Sequence, residues 1–246
     1  MSKYDQRTTT FSPEGRLYQV EYAMEAINNA ATCVGITTKD GIIIAVEKKI
    51  PSKLLAKTEE SEKIYVLDDH VICAVAGLTA DANILLSEAR EDAQDYLYKY
   101  HQHKPVEELV QKICTYKHSY TQVGGLRPFG VSFLFAGWDK QYGYQLYNSD
   151  PSGNYFGWKA HVIGANNTIA KDLLKKEYKE DCNLDEGLQL ATRVLYKCMD
   201  ANELNSDKME FASLRLVNNK VKYHLFTTEE TNEFFKTIPA NLLNKE

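Results

Sequence analysis

Apolar residues along this chain fall into two kinds of run. The first is a spaced stripe: Leu17, Val20, Met24 and Ile27 recur at intervals of three, four and three, which gathers side chains on one face of a helix. Ser12 and Pro13 precede it, a favoured N-cap and a residue suited to the first helical position, so the pattern predicts a helix over 12–28. Its other face carries Arg16, Gln19, Glu21 and Glu25. Such a helix lies on an apolar surface as a lid and turns its polar side to water or a neighbouring chain.

The second kind is short, nearly continuous and rich in β-branched residues. Segments 32–37 and 41–46 flank a turn at Lys39-Asp40-Gly41, and 64–67 and 71–76 flank Asp68-Asp69-His70, which predicts two hairpins. Their apolar runs do not alternate cleanly, so the sheets are expected to be covered on both faces. Two long helical stretches follow, from Ala80 to about His101 behind Thr79 and over 106–121 behind Pro105. A hairpin is then expected at 129–137 and 142–147, and one strand over 155–163 after the turn Asp150-Pro151-Ser152-Gly153. Helices at 169–178 and 184–199, a hairpin at 209–216 and 221–226 around Asn218-Asn219, and a helix at 229–236 complete the order. Hairpins separated by pairs of helices point to an α+β fold, a four-layer α-β-β-α sandwich of two antiparallel sheets with an extra N-terminal helix.

Composition narrows the class. The 246 residues are 43% hydrophobic, enough for a sizeable core, and with no linker or low-complexity tract they are expected to form one domain over 1–246. A formal net charge of -5 without a basic cluster argues against a nucleic-acid partner. No apolar run approaches the roughly 20 residues of a membrane span, and the first residues lack the apolar core of a leader, so a soluble intracellular chain is expected. Five cysteines without a C-x-x-C pair suggest small buried hydrophobes, not a zinc site or disulfide framework. Asn166-Asn167-Thr168 matches a glycosylation pattern but reads as a helix start. His70, His101, His103, His118, His161 and His224 show no metal-ligand spacing, and phosphate-loop, nucleophile-elbow and H-E-x-x-H motifs are missing, so neither metal nor cofactor is expected.

The residues Tyr4-Asp5-Gln6-Arg7, followed by Phe11-Ser12-Pro13, Gly15-Arg16 and Gln19-Val20-Glu21-Tyr22-Ala23, resemble the N-terminal signature of α-type subunits of the proteasome core particle. The likeness continues through Ser61-Glu62-Lys63-Ile64, Gly77-Leu78-Thr79-Ala80-Asp81-Ala82, Tyr120-Thr121-Gln122, 124–132 and Asp150-Pro151-Ser152-Gly153. It implies a sandwich over 32–238 of the N-terminal-nucleophile hydrolase fold, a gating tail at 1–11 and a non-catalytic place in a seven-membered ring. It also implies a gate cluster at Tyr4, Asp5, Arg7, Pro13 and Tyr22, and an activator-docking pocket lined by Lys63. A pore-constricting loop is implied at Gly124, Gly125, Leu126 and Arg127. The implied partners are other α-type subunits, β-type subunits, activator particles and unfolded proteins in transit, in cytoplasm and nucleus.

The same fold family suggests an alternative, an N-terminal-threonine hydrolase active in its own right. Thr32-Cys33-Val34-Gly35-Ile36 resembles the start of a catalytic β-type subunit, with Glu47 and Lys63 at positions where those enzymes keep an acid and a lysine. Aligned on Val34-Gly35, however, the nucleophile position holds Ala31, which has no hydroxyl or thiol. Thr32 is displaced by one residue, and cleavage there would discard the lid helix. The checklist of nucleophile, base and geometry is therefore unmet.

Overall fold

The structure, a computed structural model, describes residues 9–49, 54, 63–199 and 205–238. Helix α1 (Tyr18–Asn28) is followed by the hairpins β1 (Cys33–Thr38) with β2 (Gly41–Glu47) and β3 (Ile64–Asp68) with β4 (Val71–Gly77). Helices α2 (Thr79–Tyr100) and α3 (Val106–Gln122) lead to β5 (Val131–Asp139) and β6 (Gly143–Ser149), then to β7 (Tyr155–Trp158) and β8 (Ala160–Ile163). After α4 (Asn167–Glu177) and α5 (Leu184–Cys198) come a 3-10 turn at Ser206–Lys208, the hairpin β9 (Met209–Val217) with β10 (Lys220–Leu225), and α6 (Thr228–Thr237). One antiparallel sheet runs β10-β9-β2-β1-β8 and the other β3-β4-β5-β6-β7.

The four layers are visible in how each strand divides its side chains. Along β4, Val71, Cys73 and Val75 pack with Leu85, Ala89, Leu109 and Ile113 of α2 and α3, whereas Ile72, Ala74 and Ala76 join Ile42, Ile44, Val46 and Leu214 between the sheets. Val34, Ile36, Ile43 and Ala45 turn outward to Ala191, Val194 and Leu195 of α5. Three apolar seams therefore separate four layers. A strand apolar on both faces loses the period-two alternation, which explains the continuous runs. The positive φ values of Asn218 and Asn219, 51° and 58°, form the tight turn expected there.

Three expectations are corrected. The lid helix begins at Tyr18, not at Ser12, and its N-cap Leu17 makes no side-chain capping bond. Residues 12–15 close instead into a turn, with the Gly15 N–H donating to the Ser12 carbonyl at 2.9 Å and the Arg16 N–H reaching Ser12 Oγ at 3.2 Å. Pro13 and Gly15, with Gly15 at φ 77°, are turn residues at their ordinary spacing, and the glycine interrupts any helix begun at Pro13. The predicted stripe survives, since Val20 and Ile27 are buried and Ile27 enters the seam between the sheets. The single strand over 155–163 is in fact two. β7 pairs with β6 and β8 with β1, so the chain crosses from one sheet to the other at Lys159. Hydrophobicity does not report which sheet a segment joins, although β7 is largely exposed and β8 largely buried. Thr79 is likewise the first helical residue of α2, behind an N-cap at Leu78, and not its cap.

Candidate functional site

The end of α1 and the start of β1 bring together the residues that the alternative enzyme reading requires. Thr32 is fully buried just before β1. Its backbone N–H donates to Glu47 Oε2 at 3.1 Å, its carbonyl accepts from the Glu47 N–H at 2.9 Å, and its hydroxyl donates to the Ala165 carbonyl at 3.0 Å. Lys63 stands half-buried at the entrance to β3, where its carbonyl accepts from the Val75 N–H at 3.1 Å. Burial pushes the Cys33 thiol up to about 12, opposed by the positive charge of Lys63 and aided by Glu47 and Glu210. An acid, a lysine and a threonine thus share one end of the sandwich. The nitrogen at their centre is a peptide N–H, which has no basic lone pair, and the threonine oxygen is committed to a carbonyl. Ala31, at the nucleophile position, is buried and continuous with α1 through Asn29 and Ala30. The arrangement can order a backbone, but it offers neither a free amine nor a poised nucleophile.

Of the predicted gate residues, Tyr4, Asp5 and Arg7 lie outside the described residues, as do Ser61 and Glu62 beside Lys63 and most of the predicted tail at 1–11. Pro13 is exposed in the turn that precedes α1. Tyr22 is exposed on the polar face of the helix, with its ring stacked on Tyr18 at 6.3 Å between centroids. Both therefore sit on the surface.

The loop between α3 and β5 has a firmer frame than its glycines suggest. Gly124, Gly125, Leu126 and Arg127 are exposed, and Gly125 takes φ 86°. Arg127 grips Asp81 at the start of α2 through two bonds of 2.6 and 2.8 Å, and the Gly130 N–H donates to the same carboxylate at 2.9 Å. Those contacts, the Arg127 bonds foremost, hold the Asp81 carboxyl below its ordinary range against its burial. At the other end of the loop Tyr116, Tyr120 and Phe129 cluster with centroids 4.4 to 5.9 Å apart. Asp81 belongs to a stretch singled out in the sequence, but its role as the loop's anchor needs a contact across 46 positions, which no local pattern encodes.

Lys117 of α3 is among the largest fully buried side chains, although nothing in its sequence surroundings marks it. Its ammonium donates to the Val131 carbonyl and to Ser149 Oγ, each at 3.0 Å, beneath the Phe133 ring.

A further polar cluster joins the β3–β4 turn to the α2–α3 connection. Asp68, His70 and His103 each offer one ligand-type atom, all within 4.8 Å of one another. Histidine spacing does not show this meeting, because His70 and His103 come together only through the packing of α2 and α3 on the sheet. Burial tends to raise the Asp68 carboxyl, but its contacts with His70, His103 and the Asp69 N–H hold it well below the usual range.

The chain matches known proteins over nearly its whole length. The family model described as "Proteasome subunit" matches residues 27–214, and the model for the N-terminal signature of A-type proteasome subunits matches 4–26. The chain is 58% identical over 230 residues to the alpha type-4 proteasome subunit of Petunia hybrida, covering 94% of this chain and 92% of the relative. It is 56% identical over 236 residues to the Dictyostelium discoideum protein of the same name, covering 95% and 94% respectively. Against the probable alpha type-3 proteasome subunit of Schizosaccharomyces pombe it is 53% identical over 232 residues, covering 94% of each.

Proposed function

Since the chain belongs to the α-type proteasome subunits, we propose that it serves the core particle as a non-catalytic ring subunit that gates substrate entry and helps dock activators. The observation that carries this reading is the state of the would-be active site. Its central nitrogen is the amide of Thr32, bonded to Glu47 at 3.1 Å, and its nucleophile position is Ala31. A threonine peptidase needs a terminal amine there, and forming one would remove α1, whose Ile27 fills the seam between the sheets.

In this reading the segment before Ser12, with Tyr4, Asp5 and Arg7, closes the pore together with the corresponding segments of neighbouring subunits. Pro13 and Tyr22, both exposed, hold the open arrangement. Lys63, as a compact cation, receives an activator's terminal carboxylate. The loop at Gly124 to Arg127 narrows the path beneath the gate. The partners are other α-type and β-type subunits and activator particles, in cytoplasm and nucleus, and the bonds of unfolded substrates are cut by other subunits.

The test is peptide hydrolysis by assembled particles carrying altered versions of this chain. Removing residues 1–10 should raise basal hydrolysis severalfold, and Thr32→Ala should leave it as it was. Unchanged hydrolysis in the truncated particle would refute the gating role, and loss of a peptidase activity with Thr32→Ala would make this chain an enzyme.

A further inference from the structure

Asp68 ends β3 and His70 stands in the turn just before β4, and both side chains are nearly sealed from solvent, at 4% exposure each. The ring of His70 is oriented by its Nε2, which lies 2.7 Å from the Lys104 carbonyl. A carbonyl only accepts, so Nε2 carries a hydrogen, and with no second hydrogen on the ring Nδ1 presents a bare lone pair. That Nδ1 is buried without a hydrogen-bond partner, yet it lies 3.1 Å from Asp68 Oδ2. With a single hydrogen on the ring, two electron-rich atoms stand at a distance that a shared cation, a proton or a metal ion, would satisfy. His103 brings a third donor to the same point, its Nδ1 lying 2.9 Å from Asp68 Oδ2.

We propose that Asp68 Oδ2, His70 Nδ1 and His103 Nδ1 form a binding site for one divalent cation of the zinc class. Zinc bonds to imidazole nitrogen and carboxylate oxygen of about 2.0–2.2 Å give tetrahedral edges of about 3.3 Å. The two edges on Asp68, 3.1 and 2.9 Å, are close to that value. Closing the remaining edge, at most 4.8 Å, falls to His103, whose side chain is 45% exposed. On binding, the hydrogen that His103 Nδ1 shares with Asp68 moves to Nε2, which leaves both Nδ1 lone pairs on the ion.

The supporting groups match what a metal site needs. The Nε2–H of His70 bonded to a backbone carbonyl fixes the tautomer that frees Nδ1, the usual outer partner of a ligating histidine. Asp68 Oδ1 accepts from the Asp69 N–H at 2.9 Å and from Gln94 Nε2 at 3.4 Å, so Oδ2 is left for the ion. The nearby Lys104 ammonium is paired with Asp92 and does not oppose a second cation. His70 and His103 also line a cleft of about 880 Å³ with His101, Trp138 and Lys140, which leaves the fourth coordination position to water or an incoming group. An ion here ties the β3–β4 turn to the segment between α2 and α3.

The experiment is calorimetric titration of the untagged full chain, stripped with a chelator, with Zn²⁺, alongside its Asp68→Asn and His103→Ala variants. Cobalt absorption reports the coordination. The expected result is one ion per chain, intense visible cobalt bands typical of a tetrahedral site, and affinity at least tenfold weaker in His103→Ala, whose ring is 45% exposed and lies outside the apolar core. Equal affinity in the parent and both variants would overturn the site. So would an absence of uptake, and a doubly protonated His70 by nitrogen chemical shift would then show that a proton fills the place assigned to the metal.

Discussion

Asp81→Ala is the sharpest test of how the loop after α3 is held. The carboxylate is buried and accepts from the Gly130 N–H at 2.9 Å and from both terminal nitrogens of Arg127 at 2.6 and 2.8 Å. These contacts differ in worth. The side chain of Arg127 is 63% exposed, so the ion pair contributes at most about 1 kcal/mol after solvent screening. The amide of Gly130 is buried, and without its acceptor it costs about 1–3 kcal/mol. Asp81→Ala should therefore lower unfolding stability by about 2–3 kcal/mol, and Arg127→Ala by about 1 kcal/mol or less. Asp81→Asn, which keeps an acceptor for Gly130, should fall between them. In the Asp81→Ala background, Arg127→Ala should add almost nothing, because its partner is already gone. The folded carboxyl sits below its ordinary 3.8, chiefly through Arg127, so its contribution is complete above that pH and is lost as pH falls through the folded value. Urea unfolding of the full chain at neutral and acidic pH measures all of this. If Arg127→Ala costs as much as Asp81→Ala, the surface ion pair and not the buried amide bond is the anchor, and the reasoning fails.

Two further outcomes can be checked in the same way. Burial lowers the Lys117 ammonium from 10.5 to about 8, so the unfolded chain binds more protons than the folded one between those values. The cost of the buried charge is thus present in full below about pH 8 and is relieved as pH rises to 10.5, by about 3 kcal/mol. Lys117→Met should remove this rise from the stability profile, and a profile that still parallels the parent's would show that the charge is not felt. Gly153 has φ 85°, and an added Cβ would stand 2.5 Å from the Cys114 carbonyl oxygen and 2.7 Å from His118 Cβ on α3. Gly153→Ala should cost about 2–4 kcal/mol. By contrast, Gly125→Ala has φ 86° with open space around it and should cost about 1 kcal/mol. Equal shifts in the urea midpoint would rule out the close approach to α3 as the cause.

Much of this protein is legible in one dimension because its signals are local. Runs such as Ile42-Ile43-Ile44 and Val71-Ile72-Cys73 announce strands covered on both faces. The Leu17 to Ile27 stripe announces a helix that buries one side, and Asn218-Asn219 a tight turn, since each depends only on side-chain period or on one residue's φ. The motif around Tyr22 is enough to point to the family. The substitution of Ala31 for a nucleophile is equally plain, because the loss of a hydroxyl needs no coordinates.

Tertiary structure decided what depends on distance between remote residues. The split of 155–163 between two sheets follows from which edge lay open to each half, β6 for one and β1 for the other. The seating of Arg127 on Asp81, the burial of Lys117 under Phe133 and the meeting of His70 with His103 all require helices and sheet to be packed first. The same holds for the Thr32 amide on Glu47, which turns a constellation of catalytic residue types into a backbone clamp. Periodicity tells a residue which face it occupies, but chemistry is set by the atom it meets there, and that atom comes from a segment the local pattern does not contain.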